Sequence, residues 1–449
     1  MSRLLVFALL PLCALALDNG VARFPPRGLT TWELFNFNVS DAALRALADE
    51  AVAAGLTAAN YSVLWLDDGW PACDAWSGIP GVSRCVHPSP RASDGSIIPD
   101  PKKFPFGIKA TFDYIHSRGM QVGIYTDPHF ATCGGYSGSL DHEVIDAQTF
   151  VAWGVDAVKL DAGCRDDTSL HNGTLLASIG RFRDALNATG KPVLLYVDDG
   201  NPISGAKVVN PHARGWPVTP ATSTHYARSF SELSVSWCPD YANMCKLWFD
   251  RWDSFGSLLD NAHQQINMAW FQGPGTFLAP DQMTVGQGRM SAGEERAEVF
   301  LYAALAAPMF LSAAPSLLSP EQLALVTNPE ILQVNSDPDC TMASNVNSLG
   351  GGTAAFTPDR FAIDVWVKPL SDGSFAFVVI NKDPASPRNA TVEFGDGSEG
   401  SDTDLFPAGA GTRARVRDLH ARTDLGVFDR FWSVVLPPHD AAIVRVTPL

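Results

Sequence analysis

The chain is poor in what most cofactor and nucleic-acid chemistry requires. Its 10 histidines and 8 cysteines are spread over 449 residues. None stands in a CxxC or HxxxH pairing, so a zinc site finds no ligand spacing. A glycine loop of the phosphate-cradling kind is missing. Basic residues are outnumbered, 32 Lys and Arg against 48 Asp and Glu. The resulting charge of −16 argues against nucleic acid and anionic membranes as partners. Past the N-terminus no long apolar run occurs, which predicts a soluble protein without a membrane span. There is no internal repeat and no low-complexity segment, only a Gly-rich loop at Gly350–Gly352.

What is present begins with an export signal. Arg3 precedes an apolar stretch from Leu4 to Leu15, and Ala14-Leu15-Ala16 has the small-x-small form of a cleavage site. The expectation is a signal peptide over 1–16, a mature chain from Leu17 and entry into the secretory pathway, with a secreted or lysosomal/vacuolar destination. Loss of Cys13 leaves Cys73, Cys85, Cys133, Cys164, Cys238, Cys245 and Cys340. An oxidising compartment favours disulfides among them, with one cysteine over, and Cys340 has no near neighbour. Glycosylation sequons at Asn38, Asn60, Asn172, Asn187 and Asn389 fit the same route.

From 27 to 310, short apolar runs alternate with helical periods, which argues a parallel sheet. Helices are expected over Asp41–Ala54, Gly107–Arg118, Asp141–Trp153 and Leu175–Thr189. Each is followed by a glycine suited to a left-handed stop. Strand-like Val63–Leu66 runs into Asp67 and Asp68, Val122–Tyr125 into Asp127, Ala157–Leu160 into Asp161. Val193–Val197 runs into Asp198 and Asp199, and Leu247–Phe249 precedes Asp250 and Asp253. In a (β/α)8 TIM barrel the C-terminal strand ends converge on one face, so these carboxylates share one rim. After about 335 the pattern turns to alternating runs, Phe361–Val367, Ser374–Ile380, Thr391–Phe394 and Ala441–Val446. That reads as a C-terminal antiparallel β-sandwich. The expected division is a catalytic barrel over 17–335 and a sandwich over 336–449.

A rim of carboxylates without a metal cage points to carbohydrate. Glycoside hydrolysis needs one carboxylate as nucleophile or base and another as acid, in unlike environments. Trp32, Trp65, Trp70, Tyr125 and Trp248 lie beside the acidic strand ends as possible sugar platforms, though such rings more often serve as core.

The stretch Gly123-Ile124-Tyr125-Thr126-Asp127, then Gly138-Ser139, Asp146 to Phe150 and Gly154 to Asp161, is similar to the α-galactosidase/α-N-acetylgalactosaminidase family of retaining glycoside hydrolases. Leu66-Asp67-Asp68-Gly69-Trp70, Phe104 to Lys109, Gly273-Pro274-Gly275 and Ala307-Pro308 extend the resemblance over nearly the whole mature chain. The resemblance implies a double displacement with Asp161 as nucleophile and Asp253 as general acid/base, about 5–5.5 Å apart. It places Trp32, Asp67, Asp68, Tyr125, Lys159 and Asp281 at sugar-contact positions, and pairs Cys133 with Cys164. No metal or organic cofactor is implied, and a homodimer is a common state among similar proteins. Lys159 shares a strand face with Asp161, so its charge is expected to favour the ionised nucleophile.

The chain also departs from the family. Phe249 stands where the family has Arg after Trp248, and Arg251 is a candidate to replace that guanidinium. Asp250 rivals Asp253 as the acid. The family's Asp-Pro-Asp-Met becomes Ala279-Pro280-Asp281-Gln282-Met283, and its Met-Gly-Trp becomes Arg27-Gly28-Leu29. One family cysteine pair is absent at Phe37 and Gly69. Another keeps Cys245 but has Asp198 at the partner position, which leaves Cys238 to pair with Cys245, and Cys73 with Cys85. Asp199 aligns best with the family's 2-hydroxyl-binding Glu. A carboxylate there favours a free hydroxyl over an acetamide, hence terminal α-D-galactose. An α-N-acetylgalactosaminidase, a β-L-arabinopyranosidase and a catalytically impaired galactose-binding protein are the alternatives.

Overall fold

The computed structural model describes residues 19–75, 85, 90–162, 175–198, 238, 242–246, 250–251, 254–265, 269, 272–346, 362–394 and 413–449. The expected signal peptide and cleavage point lie outside them.

Eight parallel strands form the first sheet: β1 Arg27–Thr30, β2 Val63–Leu66, β3 Gln121–Thr126, β4 Ala157–Asp161, β5 Leu194–Asp198, β6 Met244–Lys246, β7 Phe277–Leu278 and β8 Met309–Leu311. They are ordered β7-β6-β5-β4-β3-β2-β1-β8. The curl closes beyond β7, where Met283 bridges Leu311 in parallel. Around the sheet run α1 Asp41–Ala53, α2 Ile108–Ser117, α3 Glu143–Trp153, α4 Leu175–Ala188, α5 Phe255–Gln265 and α6 Ala292–Ala304, followed by α7 Pro320–Val326 and α8 Pro329–Asn335. This is the expected barrel. Ser40 caps α1 by accepting from the Ala43 amide. The glycines after α1 to α4 all take positive φ, from 75° at Gly55 to 95° at Gly154, as a left-handed stop requires. The sixth strand ends at Lys246, ahead of Leu247–Phe249, which fall outside the described residues.

The second unit is antiparallel. Six strands are ordered β14-β13-β16-β11-β10-β9: β14 Thr423–Asp429, β13 Arg413–Asp418, β16 Ala441–Pro448, β11 Phe375–Asn381, β10 Ile363–Pro369 and β9 Ser344–Asn345. A two-stranded sheet of β12 Arg388–Glu393 and β15 Phe431–Leu436 packs across it. The pleat of β10 shows how the halves join. Ile363, Val365 and Val367 enter the sandwich core. Asp364, Trp366 and Lys368 face the barrel instead: Asp364 Oδ2 meets His263 at 2.7 Å, Trp366 joins the barrel's core cluster, and Lys368 donates to the Val334 carbonyl at 2.7 Å.

Candidate active site

The pleat also decides which charges meet at the barrel mouth. Alternate strand residues face the interior, and the ladder sets Tyr125 beside Lys159, Lys159 beside Tyr196, and Asp161 beside Asp198 beside Lys246. Below this layer the lumen is apolar, filled by Val63, Trp65, Ala157, Leu194, Met244 and Phe310. Gly123 makes that filling possible, because a Cβ there would lie 2.6 Å from the Trp65 indole. Polar ends therefore sit on a dry, packed floor.

Asp161 closes β4, and its Oδ2 accepts from the Tyr125 hydroxyl at 3.0 Å. Burial pushes its carboxyl up to about 6, against the pull of Lys159 and Lys246 and with a further push from Asp127 and Asp67. Lys159 favours the ionised form as its place on the strand implies, yet burial outweighs it. Lys159 itself bridges Asp67 and Asp198, each at 3.3 Å, with Tyr125 and Tyr196 rings at 5.4 and 5.8 Å. Despite burial, these carboxylates hold its pKa well above the ordinary value, so it remains a cation.

Asp67 and Asp68 follow β2 and are fixed differently. Asp67 Oδ1 accepts from the Asp68 amide at 2.8 Å. Asp68 accepts from the amides of Gly69 and Gly134 at 2.7 and 2.8 Å. Burial nevertheless raises Asp68 to about 7. Gly134 is needed for this approach, since its Cβ would lie 2.7 Å from Asp68 Oδ2.

Asp198 occupies the end of β5. Burial raises it to about 7 against Lys246 and Lys159. Lys246 did not emerge from the sequence as a site residue, and a lysine inside a three-residue strand gives little signal by itself. In the fold its Nζ reaches Asp198 and Asp281, each at 3.1 Å, and pairs with Asp250. Asp281 joins the cluster with Oδ2 also accepting from the Arg251 amide at 2.7 Å.

Other expectations change. Arg251 does not supply a sugar-facing guanidinium: its side chain is fully buried, paired with Glu298 and donating to Thr284 at 2.9 Å. Trp65 and Trp70 are core. Trp65 stacks edge-on to Tyr196 and Phe310 in the lumen, and Trp70 packs against Phe150 and Trp153 behind the strands. Trp32 is half-buried just after β1, edge-on to Phe37 at 5.2 Å. Asp199, Asp253, Trp248 and Phe249 lie outside the described residues. Asp250 is described, exposed, and held below the ordinary carboxylate range chiefly by Lys246, which keeps it ionised and unfit to donate a proton.

Cys73–Cys85 and Cys238–Cys245 are disulfides, and Cys340 is a buried free thiol. Cys133 is also disulfide-bonded, while Cys164 lies outside the described residues. Asn38, Asn60, Asn187 and Asn389 are exposed, and Asn172 is not among the described residues. Among the described residues no helix is long and apolar enough to cross a membrane, and no His, Cys, Asp and Glu cluster is arranged to hold a metal ion.

Comparison with known proteins agrees with this geometry. The melibiase family model described as "Alpha galactosidase A" matches residues 25–337, and that of the "Alpha galactosidase C-terminal beta sandwich domain" matches 361–446. A probable alpha-galactosidase of Dictyostelium discoideum is 31% identical, covering 96% of this chain and 95% of its own. Human alpha-galactosidase A is 30% identical over 84% of this chain and 79% of its own. In fold, the solved alpha-galactosidase of Saccharomyces cerevisiae superposes with a TM-score of 0.73 at 20% identity, covering 96% and 99% of the two chains. With both halves matched and the acidic strand ends in place, the chain belongs to the α-galactosidase family of glycoside hydrolases.

Proposed function

We propose that the protein is a retaining exo-glycosidase that removes terminal α-D-galactosyl residues, with Asp161 as nucleophile and Asp253 as general acid/base. The observation that carries this reading is Asp161 itself. It is a half-buried carboxylate at the end of β4, oriented by the Tyr125 hydroxyl and flanked by Lys159, in a chain of the α-galactosidase family. Tyr125 is raised well above its ordinary pKa, by burial first and then by Asp161. It therefore stays a donor and steadies the ionised oxygen that attacks the anomeric carbon.

The first half-reaction forms the bond between Asp161 and the sugar while the acid protonates the departing oxygen. The second admits water, which the same group deprotonates. Asp250 is a poor candidate for that acid, because the Lys246 charge holds its proton off. That favours Asp253. Asp67 and Asp68 supply acceptors for sugar hydroxyls, and Asp198 adds a second acceptor beside the expected Asp199. Acceptors of this kind suit a free 2-hydroxyl and disfavour an acetamide, which brings bulk and leaves charge unpaired. Disulfides and exposed sequons support the secretory route, with the signal peptide over 1–16 and the division near 335 as parts of the same reading.

Hydrolysis of aryl α-galactoside by the purified chain tests the proposal, with the α-N-acetylgalactosaminide as competing substrate. Asp161→Asn is expected to lose on the order of 10⁴-fold or more in kcat. Galactoside should be preferred by roughly 100-fold or more. Binding of galactose without turnover in the wild type would instead establish a binding protein.

A further inference from the structure

Lys246 is a buried cation of this site to which the reaction above gives no task. It stands on β6, its side chain 1% exposed, and it meets carboxylates carried by three separate stretches of chain. Asp198 ends β5, Asp281 lies just past β7, and Asp250 follows β6. In spite of burial, Asp198, Asp281 and Asp250 hold its pKa well above the ordinary value. It is a charged strut across the ends of three neighbouring strands.

The strut reaches further through Asp281. That residue takes a φ of 84°, a backbone region uncommon for a residue with a side chain and one that concentrates at functional sites. There its Oδ1 accepts from the Gln282 amide and its Oδ2 from the Arg251 amide, both at 2.7 Å. The Arg251 guanidinium is locked in turn by Glu298 and Thr284. Two residues after Arg251 in sequence comes Asp253, so the chain held at Arg251 is the chain that carries it. Immediately after it, Ser254 heads α5, with its hydroxyl accepting from the Ser257 amide at 3.3 Å.

We propose that Lys246 is a positioning residue for the general acid/base. By pinning Asp250 directly and Arg251 through Asp281, it fixes the stretch of chain that presents Asp253 to the glycosidic oxygen. This rests on the assignment of Asp253 made above. Proton transfer tolerates little misplacement, and a cation tying three strand ends resists the small shifts that matter. Lys246 needs no contact with the sugar to do this.

A general acid matters most when the leaving group is poor, and that dependence separates positioning from bulk stability. The experiment measures kcat/KM on 2,4-dinitrophenyl, phenyl and methyl α-galactosides for wild type, Lys246→Met, Asp250→Asn and Asp253→Ala, with a thermal melt of each. Asp253→Ala is expected to lose roughly 10²–10⁴-fold on the methyl and phenyl glycosides and little on the dinitrophenyl one. Lys246→Met should show the same tilt, on the order of 10²-fold on the methyl glycoside and under about 10-fold on the dinitrophenyl glycoside. Asp250→Asn should show a weaker tilt in the same sense. An equal loss across the series in Lys246→Met, or no tilt in Asp250→Asn, overturns the proposal and leaves Lys246 a charge-balancing residue. Should Lys246→Met fail to fold, Asp250→Asn decides, because its exposed side chain leaves no buried gap. If Asp253→Ala keeps the wild-type tilt, or the wild type cleaves none of the three, the underlying reading falls and the proposal with it.

Discussion

Asp161 is asked to be two things at once, withdrawn from much of the bulk water and ionised enough to attack. Burial wins part of that contest, and its carboxyl stands at about 6 rather than in the ordinary carboxylate range. A nucleophilic carboxylate works only without its proton, so kcat/KM is expected to fall as pH drops through about 6. A pH–rate profile on an aryl α-galactoside checks this. A profile flat down into the ordinary carboxylate range would mean that the lysines, not burial, set the nucleophile's charge. The Lys-x-Asp spacing made the pair legible in the sequence, since side chains two apart share a strand face. The weight of burial was not legible, because it depends on Asp127, Asp67 and the packed floor beneath, which come from other strands. Lys246 illustrates the same gap. The residues around it drew notice for other reasons, and its partners Asp198 and Asp281 lie dozens of residues away.

At the scale of the element, the barrel strands announced themselves where apolar runs ended in aspartate. The helices did so where a periodic stretch ended in glycine. The sandwich was only half visible. Strands β10, β11 and β16 are apolar enough to read directly, while Arg413–Asp418 and Thr423–Asp429 are mostly charged or exposed. Only Ala414 and Val416 of β13 reach the core. The edge strand β14 and its neighbour β13, which pairs on both sides, carry too few buried side chains to stand out from loop. Gly123 carries a sharper test. Its Cβ would intrude to 2.6 Å on the Trp65 ring, held between Tyr196 and Phe310. Gly123→Ala should therefore cost about 1–3 kcal/mol of stability, measured by denaturant unfolding. A substitution with no cost would show that the lumen floor is looser than its packing indicates.

The two halves of the molecule are joined by charge as well as by apolar packing. Asp364 on β10 meets His263 and Lys382, each at 2.7 Å. Against burial, which raises it, hydrogen bonds and charges from those partners bring its carboxyl down to about 2. A depressed carboxylate contributes stability above its unfolded pKa of about 4, and that contribution disappears as pH falls to about 2. Asp364→Asn should accordingly lower the unfolding free energy by about 2 kcal/mol near neutral pH. The gap from wild type should narrow progressively as melts move from pH 4 down to about pH 2; a gap undiminished at about pH 2 would assign the loss to packing.

Further along the joint, Arg296 and Glu294 at the start of α6 bind Asp440 and His439, both at 2.7 Å, and Phe300 lies against His420. Helix α6 connects β7 to β8, the seam that the described residues close with one bridge, from Met283 to Leu311. The strands that cover it, β10, β11 and β16, come from the far end of the chain. During synthesis, then, the ribosome releases the whole catalytic barrel before it releases the splint across this sparsely bridged seam. Until β16 arrives, the outward face of α6 stays wet, and a nascent or C-terminally cut chain offers it to chaperones and proteases.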